Sequence, residues 1–300
     1  MSSRLATHRT VPYMHILITD SGVGGLSVVA SAERFVRTRG FTEPVRLTFA
    51  DAAPALDYGY NSMPSHEEKL ETFDRFLRNV TDRFAPDAIY VACNTLSVLL
   101  PETGYFSRAT IPVKGIVRAG VELLGKELEE DPQNVAIIFG TQTTVDAKTY
   151  PLLLVGRGLD PARIICQACP DLADIIADDG EGTTAFSEIR RWVRIAVDKL
   201  PRRSAPVVAC LACTHYGYRR DFFAACLDDA DVRAKVIDPN ECAVDELFPN
   251  GGDDHDVQVS FVTRYAVPGT TIGTLTSFLS DVSPRTVHAM QNFVLLPDLF

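Results

Sequence analysis

Short apolar runs alternate along this chain with longer amphipathic stretches. The runs at 15–19, 45–50, 88–92, 112–117, 134–139, 162–166, 206–211 and 234–237 are mostly bounded by Gly, Pro or Asp. Their near-continuous hydrophobicity predicts strands buried on both faces of parallel sheets. The clearest intervening helix runs from about Ser65 to Phe84, where Leu70, Phe73, Leu77, Val80 and Phe84 recur at three- and four-residue steps. Ser65 followed by Glu68 fits a capping box at its start. Strand–helix alternation of this kind predicts an α/β architecture.

The pattern repeats. Asp20 stands 73 residues before Cys93, and Gly140 stands 73 residues before Cys213, so the two segments are offset by 120. Each of these four positions falls at the end of an apolar run. Ligands in parallel α/β sheets bind beyond the carboxyl ends of strands, so two facing halves would bring all four ends to one cleft. The expected domains are 1–116 together with 237–300, and 117–236. Residues 1–13 are polar and read as a flexible extension, and Asp253-Asp254-His255-Asp256 as a solvated loop.

The strand ends carry the candidate chemistry. Asp20-Ser21-Gly22-Val23-Gly24-Gly25 is a Gly-rich turn opening a helix, a place suited to a carboxylate or phosphate. It lacks the third glycine of a dinucleotide fingerprint, and taken alone it also reads as a plain tight turn. Cys93 precedes Asn94-Thr95, and Cys213 precedes Thr214-His215. A buried cysteine is ordinarily a small hydrophobe. Two at matching offsets, each followed by hydrogen-bonding residues and a helix start that lowers a thiol's pKa, point instead to a pair of acid–base groups. Thr141 and Thr144 read equally as helix caps and as cleft hydroxyls. Tyr58-Gly59 offers a phenol and close backbone approach, though a surface turn explains it as well. A rival reading takes Cys166/Cys169 and Cys210/Cys213 as zinc pairs. Their wide separation and the apolar setting of Cys210 argue against it.

Composition narrows the classes. A formal charge of −10 argues against nucleic acid or an anionic membrane as partner, and no apolar run reaches membrane-spanning length. The odd number of cysteines, seven, and the absence of a secretory leader predict reduced thiols in the cytoplasm.

The motifs resemble those of the glutamate racemases, within the aspartate/glutamate racemase superfamily. D-S-G-x-G-G-L is present as Asp20 to Leu26, A-C-N-T-x-S as Ala92 to Ser97, G-T-x-x-T as Gly140 to Thr144, A-C-P as Ala168 to Pro170, and G-C-T-H-Y as Ala212 to Tyr216. The likeness spans about 14–248. It departs at P-Y-G, which stands here as Asp57-Tyr58-Gly59, and at Arg118, where the family has glutamate. The family's near-terminal T-G-D is not evident. The family's glutamate partner of the histidine is missing too, its place falling near Ala177 or Asp178, with Asp178 the candidate substitute.

The resemblance implies two pseudo-symmetric flavodoxin-like domains with parallel sheets and an interdomain active-site cleft. The implied reaction interconverts L- and D-glutamate without cofactor or metal, Cys93 and Cys213 serving as thiol and thiolate, assisted by Asp20 and His215. Ser21, Tyr58, Gly59, Asn94, Thr95, Thr141, Thr144 and Thr214 would hold the substrate. The expected partner is a small amino acid, neither nucleic acid nor membrane, with a homodimer left open. Two alternatives stand beside this reading: a racemase or isomerase for another amino acid or small acid, marked by the altered Tyr58 loop, and a non-catalytic binding protein on the same fold.

Overall fold

The computed structural model describes residues 13–300. The chain begins with β1 (Met14–Asp20), α1 (Leu26–Arg39), β2 (Val45–Asp51), α2 (His66–Phe84), β3 (Ala88–Val91), α3 (Asn94–Leu99) and β4 (Val113–Gly115). It continues through α4 (Val117–Glu130), β5 (Val135–Gly140), α5 (Gln142–Asp146), α6 (Thr149–Gly156), β6 (Ile164–Ala168), α7 (Leu172–Asp178), α8 (Thr183–Val197), β7 (Val207–Ala212), α9 (Arg220–Asp228) and β8 (Ala234–Ile237). The tail adds α10 (Ala243–Leu247), β9 (Val257–Thr263), α11 (Gly269–Leu279), α12 (Pro284–Gln291) and β10 (Val294–Leu295).

All the strand pairs are parallel and fall into two sheets, β10-β9-β2-β1-β3-β4 and β6-β5-β7-β8. The second order reproduces the β2-β1-β3-β4 portion of the first, so the 120-residue offset in sequence is a repeat of topology. One apolar cluster runs through both halves, with Leu17, Ile89 and Leu99 joined to Val121, Ile138 and Val208. The reason is compositional: β1, β3, β5 and β7 are apolar on both faces and need helices on each side.

Local chemistry sets the boundaries. The Ser65 side chain accepts a hydrogen bond from the Glu68 N–H and starts α2, whose buried stripe is Thr72, Phe73, Phe76, Leu77 and Val80. Leu70 and Phe84 are only half-buried, at the rim of that stripe. The strand expected at 162–166 begins instead at Ile164, because Asp160 caps a short 3-10 turn over Pro161–Arg163. The strand expected at 112–117 shortens to β4, since Ile116 already leads into α4. The tail joins the first sheet, β9 pairing with β2 from Val45 opposite Val257. Residues 1–12 of the expected extension lie outside the described residues. Tyr13 is anchored rather than loose: its hydroxyl donates to Asp256 at 3.0 Å and accepts from Gln258 at 2.8 Å. None of the described helices is long and apolar enough to cross a membrane.

Candidate active site

The carboxyl ends of β1, β3, β5 and β7 open onto one cleft of about 760 Å³. Of the residues singled out in the sequence, Asp20, Ser21, Gly59, Cys93, Asn94, Thr95, Thr141, Cys213, Thr214 and His215 line it. Tyr58 does not. Its side chain is exposed, and its hydroxyl donates to Glu68 Oε1 at 2.5 Å. Thr144 sits buried behind the wall, its hydroxyl 3.0 Å from that of Thr141 and 3.5 Å from that of Thr95. Thr95 and Thr141 meet at 2.8 Å and join the two halves at the cleft floor.

Asp20 occupies the anion-binding turn that its own motif makes. Its Oδ1 accepts from the Ser21 N–H at 2.7 Å, and its Oδ2 from the Gly25 N–H at 2.5 Å. The protein's own carboxylate thus takes two of the N–H groups that the turn was expected to offer a ligand, while Ser21, Gly22 and Val23 still line the cleft. A third donor comes from the other half of the chain, the Thr214 hydroxyl, at 2.8 Å from Oδ2. Gly24 must be glycine for this to assemble: a Cβ there would lie 2.4 Å from Thr214 Oγ1 and 2.6 Å from His215 Nδ1.

Cys93 caps α3, with the Leu96 N–H 3.4 Å and the Ser21 hydroxyl 3.1 Å from its sulfur. Those donors stabilise a thiolate, as a helix N-terminus should. Burial nevertheless outweighs them and, with the Asp20 charge, pushes the thiol well above its ordinary pKa. Burial likewise pushes Cys213 up, against a favourable bond from the His215 backbone, with Asp20 and Asp174 adding to the rise. The Asp20 charge thus acts on both sulfurs. Burial lowers His215, favouring the neutral ring, while Asp20, Asp174 and Asp178 draw it back up.

Two contributors escaped the sequence reading. Asp174 lines the cleft and pulls on His215 more strongly than Asp178 does. The Asp178 carboxylate is engaged elsewhere, by the Thr271 hydroxyl at 2.6 Å. The two acids stand four residues apart on α7, one helical turn, which was the available signal. Tyr150 is the second. Its hydroxyl donates to Asn94 Oδ1 at 2.7 Å, which fixes the amide and leaves the buried Asn94 Nδ2 without a protein partner. Arg118 lies away from the cleft lining, 82% exposed and paired with Glu122 at 3.0 Å, whereas Asp57 lines the cleft. Among the described residues, no cluster of three or more His, Cys, Asp or Glu side chains could hold a metal ion.

No family model matches the chain. It is 30% identical over 244 residues to the glutamate racemase of Chlorobium phaeobacteroides, an alignment covering 78% of each protein. It is 27% identical over 231 residues to that of Nitratiruptor, covering 77% of this chain and 81% of the relative. The fold is shared with the glutamate racemase of Campylobacter jejuni (TM-score 0.68, 21% identity, covering 89% of this chain and 98% of that one). It is shared also with the Francisella tularensis enzyme solved in complex with D-glutamate (TM-score 0.67, 20% identity, 88% and 93%). With that kinship spanning most of both chains and the cleft framed by the same repeated strand ends, this protein belongs to the glutamate racemase family.

Proposed function

We propose that the chain is a cofactor-independent amino-acid racemase that interconverts L- and D-glutamate by proton transfer between Cys93 and Cys213, acting across two domains, 1–116 with 237–300 and 117–236. The observation that supports this reading is that both thiols line one cleft at equivalent positions of a repeated scaffold, each with a different acid–base group at hand. A racemase must take the α-proton from one face of a carbon and return a proton to the other. Two groups on opposite sides do this when one is a base and the other an acid.

Burial keeps both sulfurs as thiols at rest. In the proposed cycle one thiol first yields its proton to its neighbour, Cys93 to the Asp20 carboxylate or Cys213 to the His215 imidazole. The resulting thiolate breaks the α C–H bond and becomes a thiol, and the electron pair is delocalised into the α-carboxylate. The opposite thiol delivers its proton to the other face and becomes the thiolate. Asn94 Nδ2, a buried donor with no protein partner, suits the α-carboxylate, where negative charge grows. Asp20 and Ser21 suit the α-ammonium. Among the described residues, the cleft lining includes no lysine. All seven cysteines are unpaired, in keeping with a reducing cytoplasm.

Exchange of the α-proton in deuterated water, followed by NMR over a panel of L- and D-amino acids, tests the reading. Cys93→Ser and Cys213→Ser should each lower racemisation of both enantiomers by roughly 10²–10⁴-fold, the worth of a positioned acid or base. Near-normal turnover by either variant would refute the paired-thiol mechanism. Asp57 at the cleft wall favours a second reading, a side chain other than glutamate's, because a carboxylate there repels a second one.

A further inference from the structure

Resting on the racemase reading, we propose that Lys69, acting through Thr143 and Asn61, is the positioning residue that fits this cleft to a substrate side chain ending in a carboxylate. The described residues lining the cleft include five aspartates, Asp20, Asp57, Asp171, Asp174 and Asp178, and no lysine or arginine. Lys69 reaches its edge indirectly. Its Nζ donates to Thr143 Oγ1 at 2.9 Å. The Thr143 hydroxyl, its own hydrogen still free, donates to Asn61 Oδ1 at 2.8 Å, and the Thr143 N–H reaches the same oxygen at 3.4 Å.

Two donors on Oδ1 settle which way the Asn61 amide faces. Nδ2 is then the donor that this cleft-lining side chain offers, four residues along from Asp57. The ammonium polarises the hydroxyl, and the hydroxyl polarises the amide, so that Nδ2 becomes a stronger donor in a setting otherwise rich in negative charge. The chain of bonds also crosses the molecule. Lys69 belongs to α2 and Asn61 to the segment before it, whereas Thr143 belongs to α5 beyond the second sheet's first strand. The donor is therefore held in place only when the two halves sit as they do here.

Steady-state kinetics of wild type, Lys69→Met and Lys69→Arg on glutamate and on glutamine separate this role from a merely structural one. Glutamine has nearly the shape of glutamate without the charge. If wild type exchanges no glutamine proton, glutamine's inhibition constant against glutamate supplies its value. Lys69→Met should raise the glutamate KM about tenfold, the scale of one charge-assisted hydrogen bond. It should lower the glutamate-to-glutamine selectivity by a similar factor, and Lys69→Arg should retain most of that selectivity. An unchanged selectivity in Lys69→Met, whether both substrates suffer alike or neither does, would overturn the inference, as would a wild-type preference for glutamine. Absence of racemisation of any amino acid by wild type would instead sink the racemase reading on which it rests.

Discussion

Gly24→Ala puts the assembly of the site under direct strain. A methyl at residue 24 would lie 2.4 Å from Thr214 Oγ1, 2.6 Å from His215 Nδ1 and 2.7 Å from His215 Cε1, where ordinary contact begins at 3.4 Å. The ring must retreat by about 0.8 Å, and the hydroxyl by about 1 Å. Thr214 cannot turn aside freely, since its hydroxyl is bound to the buried Asp20 carboxylate at 2.8 Å. Losing a hydrogen bond to a charged group costs about 1.5–3 kcal/mol. At ~2–4 °C per kcal/mol, that lowers the thermal midpoint by roughly 3–12 °C. A misplacement of ~1 Å in an acid–base group costs about 10² in rate, so kcat/KM should fall by about that factor. Racemisation followed by circular dichroism, beside a thermal melt, measures both effects. Gly156→Ala is the control, because a Cβ there meets nothing within 4 Å. Wild-type kcat/KM in Gly24→Ala would refute the claim that His215 and Thr214 work from the positions described.

Two further outcomes follow from buried charge. Burial raises Asp51 to about 7, so the folded protein holds a proton there that the unfolded chain has already lost; its share of stability therefore declines as pH climbs from about 4 through 7. Asp51→Asn should shrink the drop in thermal midpoint between pH 5 and pH 8, and an equal drop in both proteins would contradict this. Asp174→Asn removes a charge that holds the His215 pKa up against burial, so the histidine limb of the pH–rate profile should move to lower pH, and further than in Asp178→Asn. No movement, or the larger movement in Asp178→Asn, would show that Asp174 is not the stronger of the two charges acting on the ring.

The sequence made the scaffold readable wherever hydrophobicity alone decides the outcome. The two-sided apolar strands β1, β3, β5 and β7 could only be buried, and the motifs at their ends stayed with them. The tail was harder, because β9 reads Val-Gln-Val-Ser-Phe-Val-Thr, an alternating pattern whose partner, β2, lies more than 200 residues away. Side-chain direction was not readable at Tyr58, whose phenol turns outward because Glu68, on the first turn of α2, accepts its hydrogen. Nor was the choice between Asp174 and Asp178. Both lie on the same face of α7 and both draw the His215 pKa up, and only the fold brings Thr271, from the far end of the chain, onto the Asp178 carboxylate.

The repeat also explains why the two halves differ where they do. With the 120-residue offset, Cys93 corresponds to Cys213, Thr95 to His215 and Gly24 to Thr144. Thr95 packs against Thr144, their hydroxyls 3.5 Å apart, and the matching contact, which also crosses between the halves, is His215 against Gly24, where even one added carbon would overlap the ring. A pair of medium side chains at one of these contacts is thus a large and an absent side chain at the other, a near-conservation of volume that the packed floor requires. The same exchange separates the chemistry. Asp20 stands where the second half has Gly140, and His215 where the first half has Thr95, so in the mechanism we propose each thiol would have one acid–base partner of a different kind. Substituting at Gly24 without shrinking residue 215 breaks this exchange, and Gly24→Ala joined to His215→Thr should relieve only the overlap with the ring, leaving the stability lost at the Thr214–Asp20 bond unrecovered and recovering none of the rate.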